Sequence, residues 1–190
     1  GEKQRVAIAR AFASRPELVI CDEPVSSLDV SVKCSVLKTL LTIQSAHGTS
    51  LAYISHDLSV VHFMCDYILV MYLGRICEAG TCGEIFRPPY HPYTEALLSA
   101  VPVPDPTIDR TRIRLEGSVP SALNPPRGCR FHTRCPRKIG AVCETEQPPV
   151  RETESGHAIA CHIPLADLET IEPVIMGRGE APTSSQGTRV

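Results

Sequence analysis

The chain has 190 residues, of which 43% are hydrophobic and 21% charged, and its net charge is −2. This composition is ordinary for a soluble globular protein with a core. The charge excludes a global basic field of the kind that attracts nucleic acid or an anionic membrane. The longest apolar run, at 67–73, is far shorter than the roughly 18 residues that span a membrane. We therefore expect a soluble protein in the cytoplasm.

Hydrophobic periodicity predicts helices that alternate with strands in the first part of the chain, an α/β arrangement with a largely parallel sheet. The first predicted strand, LVIC, is a continuous apolar run, which is typical of a strand buried on both faces. The predicted elements are a helix at 4–13, a strand at 18–21, a helix at 31–47 closed by Gly48, a strand at 50–55, a helix at 57–65, a hairpin around Gly74 and a helix at 91–100.

Proline divides the chain, because only Pro16 and Pro24 of its 17 prolines precede residue 88. Proline lacks a backbone donor and interrupts regular elements, so the later part is expected to be rich in loops. The predicted divisions are a regular α/β part at 1–87, a helix and proline-rich linker at 88–127, a cysteine-containing segment at 128–165 and a disordered tail at 166–190.

Acidic residues follow the first predicted strand, and a histidine follows the second. Ligands bind at the carboxyl ends of strands in parallel sheets, and Asp22, Glu23 and His56 all lie at such ends. Asp22 is placed to hold Mg²⁺, directly or through water. Glu23 is placed to polarise a water for attack on a γ-phosphoryl group, which His56 could also contact. An isolated Asp-Glu pair is also typical of a solvated turn. The neighbouring motifs therefore decide between a solvated turn and a site for a metal-bound phosphate.

Those motifs, GEKQRVAIARAFASRPELVICDEPVSSLDVSV and YISHDL, resemble the ATPase subunits of ABC transporters. On this resemblance, GEKQR is the end of the signature motif, with Gly1 its last glycine. Glu2 stands where glutamine is more usual. The stretch SSLD, which ends at Asp29, is the D-loop that crosses to a partner protomer.

The resemblance also assigns the remaining roles at this site. LVICDE is the Walker B strand, with Asp22 on Mg²⁺ and Glu23 as the catalytic base, and His56 is the switch histidine. Gly1, Glu2 and Asp29 would contact nucleotide at the dimer interface. The implied fold is the carboxyl-terminal half of a P-loop ABC ATPase domain followed by a loop-rich extension.

ABC ATPases work with partners, and the resemblance implies the same set here. A second ATPase subunit, identical or related, would pair head to tail with this one. ATP binding and hydrolysis would then drive two membrane permease subunits, with an extracytoplasmic peptide-binding protein as an indirect partner and no nucleic acid. The implied location is peripheral, on the cytoplasmic face of the inner membrane.

A phosphate-binding loop of the form G-x-x-x-x-G-K-[ST] is missing from these 190 residues. In ABC ATPases this loop precedes the signature motif. We therefore expect the chain to be the carboxyl-terminal part of a longer ATPase, and to be inactive in ATP hydrolysis on its own.

The stretch RPPYHPYTEALLSAVPVPDP and the later GCRFHTRCP resemble oligopeptide and dipeptide importers. This resemblance implies import of di- and oligopeptides. An importer of nickel or another small solute is the alternative.

Four of the nine cysteines lie close together in the later part, as C-x5-C-x7-C-x17-C. Four thiolates suit a [4Fe–4S] cluster or a structural zinc site, and nearby arginines would offset the negative charge. This spacing matches neither the C-x2-C pairs of a zinc ribbon nor the compact cysteine run of a ferredoxin. Reduced cysteines that bind no metal are the simpler interpretation. This segment also resembles the corresponding segment of the importer family, in which some members carry an iron–sulfur cluster. The four expected ligands are Cys129, Cys135, Cys143 and Cys161.

Two other classes of function stay open at this point. One is a metal- or redox-sensing module built on an inactive ATPase half, which predicts loss of the acidic site residues. The other is a soluble ABC ATPase acting on ribosomes or DNA, which predicts extended basic surfaces. The sequence retains Asp22, Glu23 and His56 and has no long basic run.

Overall fold

A computed structural model describes residues 1–102 and 112–174. The linker residues 103–111 and the predicted tail beyond 174 lie outside this described part. The chain divides into two compact units, Gly1–Asp66 and Tyr67–Val190. The divisions predicted from proline content stay predictions.

The first unit contains every helix and strand that periodicity predicts for it, within a few residues at each end. Its two strands are parallel neighbours, with Leu18 opposite Ser50 and Asp22 opposite Ile54. The long helix ends at Gly48, whose φ of 64° is the left-handed conformation that glycine adopts readily. The elements are α1 (Glu2–Phe12), β1 (Leu18–Asp22), α2 (Val30–His47), β2 (Ser50–Ile54) and α3 (Leu58–Met64).

The core of the first unit lies where α1, α2 and β1 pack together. Apolar positions of α2 recur at helical spacing and supply the centre of this cluster. On β1, only alternate residues are buried, which corrects the expectation of a strand buried on both faces. Leu18 and Ile20 are 55% and 67% exposed because no described element covers that face of β1. The buried members are Ile8, Phe12, Val19, Cys21, Val25, Val36, Leu37, Leu40 and Val60.

The second unit is built on a four-stranded sheet in the order β3-β4-β6-β5. All its neighbouring strands are antiparallel. The mixed α/β class is therefore confirmed, but a largely parallel sheet is not, since parallel pairing occurs only between β1 and β2 in the described residues. The elements are β3 (Tyr67–Tyr72), β4 (Arg75–Thr81), α4 (Cys82–Ile85), α5 (Pro92–Ser99), α6 (Val142–Thr145), β5 (Val150–Glu152), β6 (Ala158–Ala160) and α7 (Leu165–Glu169).

The hairpin predicted around Gly74 is present between β3 and β4. Leu73 and Gly74 have φ of 45° and 73° at its tip, the sign pattern that a tight two-residue hairpin turn needs. The guanidinium of Arg130 donates to the carbonyl of Leu73. This contact ties the cysteine segment to the hairpin.

The cysteine segment also contacts α5. Arg137 forms two hydrogen bonds with Glu95, from Nε at 2.7 Å and from Nη2 at 2.8 Å. Phe131 packs edge-on against Tyr72, with ring centroids 5.2 Å apart, and also against Tyr93. Such aromatic contacts stabilise beyond their buried area. The cysteine segment is thus packed on β3, β4 and α5 within one unit.

Among the described residues, the helices are all too short or too polar to cross a lipid bilayer.

Candidate functional site

Glu23 and His56 meet at the carboxyl edge of the parallel strands. β1 and β2 end side by side, and the N–H of Glu23 donates to the carbonyl of Ile54 at 2.9 Å. Oε1 of Glu23 lies 2.7 Å from Nδ1 of His56. Both side chains are exposed to solvent. A carboxylate and an imidazole in direct contact at this edge can accept and relay a proton from a bound water.

The backbone of Glu23 is strained. Its φ is 43°, in the left-handed region that costs a non-glycine residue roughly 1 kcal/mol. The carbonyl of Glu23 accepts from the N–H and from Oγ of Ser26, at 3.3 and 3.2 Å. Strain of this kind persists where surrounding contacts hold it, and it is common at functional sites.

Asp22 is the last residue of β1, and its side chain is exposed at the same edge. A solvent-facing carboxylate suits Mg²⁺, which keeps several waters and takes one or two protein carboxylates. The residue type and its position therefore fit the expected ion.

The residues expected at the dimer interface lie at the ends of helices and are exposed. Gly1 is the N-cap of α1, and a Cβ there would lie 2.8 Å from Cγ1 of Val32. Glycine therefore lets the start of α1 approach α2 closely. Asp29 is the N-cap of α2, and Glu2 is the first residue of α1. Their contacts with nucleotide stay predictions.

The four expected metal ligands lie in one region of the second unit. The N–H of Cys129 donates to the carbonyl of Cys143 at 2.9 Å. Burial, together with the nearby thiols of Cys161, Cys129 and Cys143, raises the pKa of the Cys135 thiol to about 12. Burial likewise raises the pKa of Cys129 and of Cys161. The influence of each thiol on its neighbours indicates that the four side chains lie near one another, and burial favours the protonated thiol at Cys129, Cys135 and Cys161.

The structure does not support the expected metal centre. In the described parts of the chain, no group of three or more His, Cys, Asp or Glu side chains is arranged to hold a metal ion. The neighbouring cations also have other partners: Arg137 bonds to Glu95 and Lys138 to Glu144. Neighbouring thiols raise the pKa of Cys129, Cys135 and Cys161, which requires proximity but not the tight tetrahedral grouping of a metal site.

The three histidines near the cysteines are also engaged elsewhere. Nδ1 of His132 contacts the carbonyl of Cys129 at 2.8 Å, and Nε2 of His162 contacts the carbonyl of Glu146 at 3.1 Å. His157 is buried against Glu78, with Nε2 to Oε1 at 2.8 Å. None of these three is placed as a substitute ligand.

The sequence did not predict the buried polar cluster around Glu78. Oε2 of Glu78 accepts from the N–H of His91 at 2.9 Å, and Nδ1 of His91 accepts from the N–H of Tyr93 at 3.1 Å, which caps α5. Glu78, His91 and His157 are each at most 2% exposed. A glutamate within the strand RICEAGT is the one sequence signal, because a buried carboxylate needs partners. The HPY stretch, residues 91–100, therefore has a structural role here, since His91 caps α5 and contacts Glu78.

Residues 77–143 match the family described as "Oligopeptide/dipeptide transporter, C-terminal region". The chain is 50% identical over 163 residues to a probable peptide ABC transporter ATP-binding protein of Sinorhizobium fredii, covering 86% of this chain and 46% of that protein. It is 49% identical over 161 residues to a dipeptide transport ATP-binding protein of Haemophilus influenzae, covering 85% of this chain and 49% of that one. The chain spans about half the length of these curated relatives.

The resemblances noted in the signature, Walker B and HPY stretches agree with these matches. Residues 77–143 are thus similar to the C-terminal region of oligopeptide/dipeptide transporters, and most of the chain is similar to about half the length of peptide and dipeptide ABC transporter ATP-binding proteins.

Proposed function

We propose that this chain forms part of an ATP-hydrolysing subunit that energises the import of di- and oligopeptides. The single observation that carries the proposal is the 2.7 Å contact between Glu23 and His56 at the end of two parallel strands. The similarity to peptide importer subunits supports the substrate class.

In this proposal, each residue at the strand edge has one task. Glu23 accepts a proton from the attacking water, and His56 holds that carboxylate and contacts the γ-phosphoryl group. Asp22 would hold Mg²⁺, which neutralises charge on the phosphate oxygens. Gly1, Glu2 and Asp29 would contact nucleotide across a dimer interface. The phosphate loop is not among these 190 residues, so we expect no ATP hydrolysis by this chain alone.

The partners in this proposal are those of an ABC importer. A second ATPase subunit, two membrane permease subunits and, indirectly, an extracytoplasmic peptide-binding protein complete the assembly. The subunit would lie peripherally on the cytoplasmic face of the membrane.

The test uses the product of the complete open reading frame that contains these codons. Wild type is expected to hydrolyse ATP with Mg²⁺, and Glu23→Gln is expected to lower kcat by about 100-fold or more. Glu17→Gln, another exposed glutamate on the same unit, is the matched control and should keep wild-type turnover. Equal turnover in wild type and Glu23→Gln would refute the assigned base.

The transported substrate needs its own measurement. A strain with Glu23→Gln in the chromosomal gene is expected to lose uptake of labelled dipeptide and to keep uptake of Ni²⁺. Loss of Ni²⁺ uptake with dipeptide uptake intact would favour the small-solute importer instead.

As a second candidate, we infer that Cys129, Cys135, Cys143 and Cys161 bind a metal after a local rearrangement that brings the thiols closer. The support is the backbone hydrogen bond between Cys129 and Cys143 and the effect of neighbouring thiols on the pKa of Cys129, Cys135 and Cys161. Anaerobic purification tests this: brown absorbance at about 400 nm that Cys129→Ser removes and Cys34→Ser keeps would support an iron–sulfur cluster. A colourless protein with stoichiometric zinc would favour zinc, and a metal-free protein would exclude both.

A metal- or redox-sensing module on an inactive ATPase half is the remaining alternative. It predicts a metal-loaded cysteine segment together with no effect of Glu23→Gln on any activity. The two experiments above therefore separate it from the importer.

A further inference from the structure

We propose that Lys33 and Asp57 form a strut that holds the turn carrying His56 against α2, so that Lys33 is a positioning residue for His56. The inference rests on the proposed function, since it gives His56 a role in ATP hydrolysis. It names a residue outside the motif positions that carry the resemblance.

The strut begins one turn after Asp29. The N–H of Lys33 donates to the carbonyl of Asp29 at 2.7 Å, in the first turn of α2. Nζ of Lys33 lies 2.8 Å from Oδ2 of Asp57. The lysine side chain therefore links the start of α2 to the residue that directly follows His56.

The other end of the strut is fixed by the cap of α3. Oδ1 of Asp57 accepts from the N–H groups of Ser59 and Val60, at 3.1 and 3.4 Å. The N–H of Asp57 donates to Oγ of Ser55 at 3.0 Å. Both carboxylate oxygens are thus used, one by the helix cap and one by Lys33, so the carboxylate cannot move without moving the turn.

His56 lies between two fixed points. Its ring contacts Glu23 at 2.7 Å, and its neighbour Asp57 is anchored to α2 and α3. A rotation of the turn would break the contact with Glu23, because hydrogen bonds weaken steeply with misalignment. Lys33 is only half-buried, and ion pairs of this kind add little to stability. Its removal should therefore leave the fold intact and change the position of His56.

The hydrogen bond from Lys33 is also the largest influence that lowers the pKa of Asp57. Loss of Lys33 should raise that pKa toward its ordinary value. This change gives a local readout of the strut that does not depend on ATP hydrolysis.

The first experiment uses the 190-residue chain and NMR of the imidazole nitrogens of His56 and the carboxyl carbon of Asp57. In Lys33→Met, we expect the Nδ1 signal of His56 to move or broaden and the pKa of Asp57 to rise. Lys33→Arg should restore both. Lys38→Met removes an exposed lysine from the same helix and should match wild type. A His56 signal that is the same in Lys33→Met and Lys38→Met overturns the inference.

The second experiment measures ATP hydrolysis by the product of the complete open reading frame. Lys33→Met should lower kcat about tenfold with little change in KM, because a displaced catalytic group costs rate rather than binding. Lys33→Arg should recover most of the rate. A Lys33→Met variant with wild-type kcat overturns the inference. If wild type lacks activity, the proposed function fails, and the NMR experiment still decides whether the strut exists.

Discussion

The carboxylate of Glu78 and the imidazole of His157 are 2.8 Å apart, although 79 residues separate them in the chain. Both are almost fully buried. Burial raises the pKa of Glu78, and the hydrogen bond from His157 works in the opposite direction. The contact lies beside the pairing of β4 with β6, in which Glu78 is opposite Ile159. It joins the cysteine segment to the hairpin of β3 and β4.

Removal of Glu78 or of His157 should lower the free energy of unfolding. Glu78→Ala leaves His157 and the N–H of His91 without their acceptor, and breaking a buried pair costs about 3 kcal/mol or more. Glu152→Ala removes an exposed glutamate of β5 and should change the free energy of unfolding by less than about 0.5 kcal/mol. Urea unfolding of both variants measures the difference. Equal stability would show that the pair contributes nothing to the fold.

Gly80 leaves room for the His157 ring. A Cβ at residue 80 would lie 2.9 Å from Cδ2 of His157 and 3.1 Å from Oε2 of Glu84. Because His157 is buried and bonded, it cannot retreat, and Gly80→Ala should destabilise by about 1–3 kcal/mol. Gly83→Ala meets nothing within 4 Å and lies in α4, so it should be neutral or stabilising by up to about 1 kcal/mol. Thermal unfolding in which Gly80→Ala is more stable than Gly83→Ala would contradict the predicted crowding of residue 80 by His157.

The strain at Glu23 can be measured by comparing two substitutions. Glu23→Ala and Glu23→Gly both remove the carboxylate, but only glycine relaxes a φ of 43°. The glycine variant should therefore be more stable than the alanine variant by about 1 kcal/mol. At Asp22, in a strand, glycine should instead be the less stable of the two. Denaturant titration of the four variants checks this, and alanine as stable as glycine at residue 23 would argue against strain.

The cysteines should differ in reactivity. Burial raises the pKa of Cys135 to about 12, so little thiolate is present at pH 8 and reaction with a thiol reagent should be at least about 100-fold slower than for a free thiol. Cys34 is exposed and should react first. The rate at Cys135 should increase as pH rises toward 12, because the thiolate fraction grows. Mass spectrometry of the labelled native chain identifies the order, and early labelling of Cys135 would contradict the burial of its thiol.

Local patterns in the sequence were sufficient to predict most elements. Helical spacing of apolar residues indicated α2, and Gly48 marked its end because only a left-handed residue closes a helix in this way. The prediction that Glu23 and His56 follow neighbouring strands also came from the sequence, since parallel strands end at one edge. These features depend on residues close together in the chain.

Tertiary structure alone decided the features that depend on distant residues. β5 and β6 have three residues each, too few for a periodic signal, so their addition to β4 could not be predicted. The exposure of one face of β1 could not be predicted either, because the sequence of a strand does not specify which elements cover it. The arrangement of the four thiols and the burial of His157 against Glu78 likewise depend on chain packing. Side-chain distances between segments far apart in sequence are set by the whole fold, so they cannot be predicted from residue spacing.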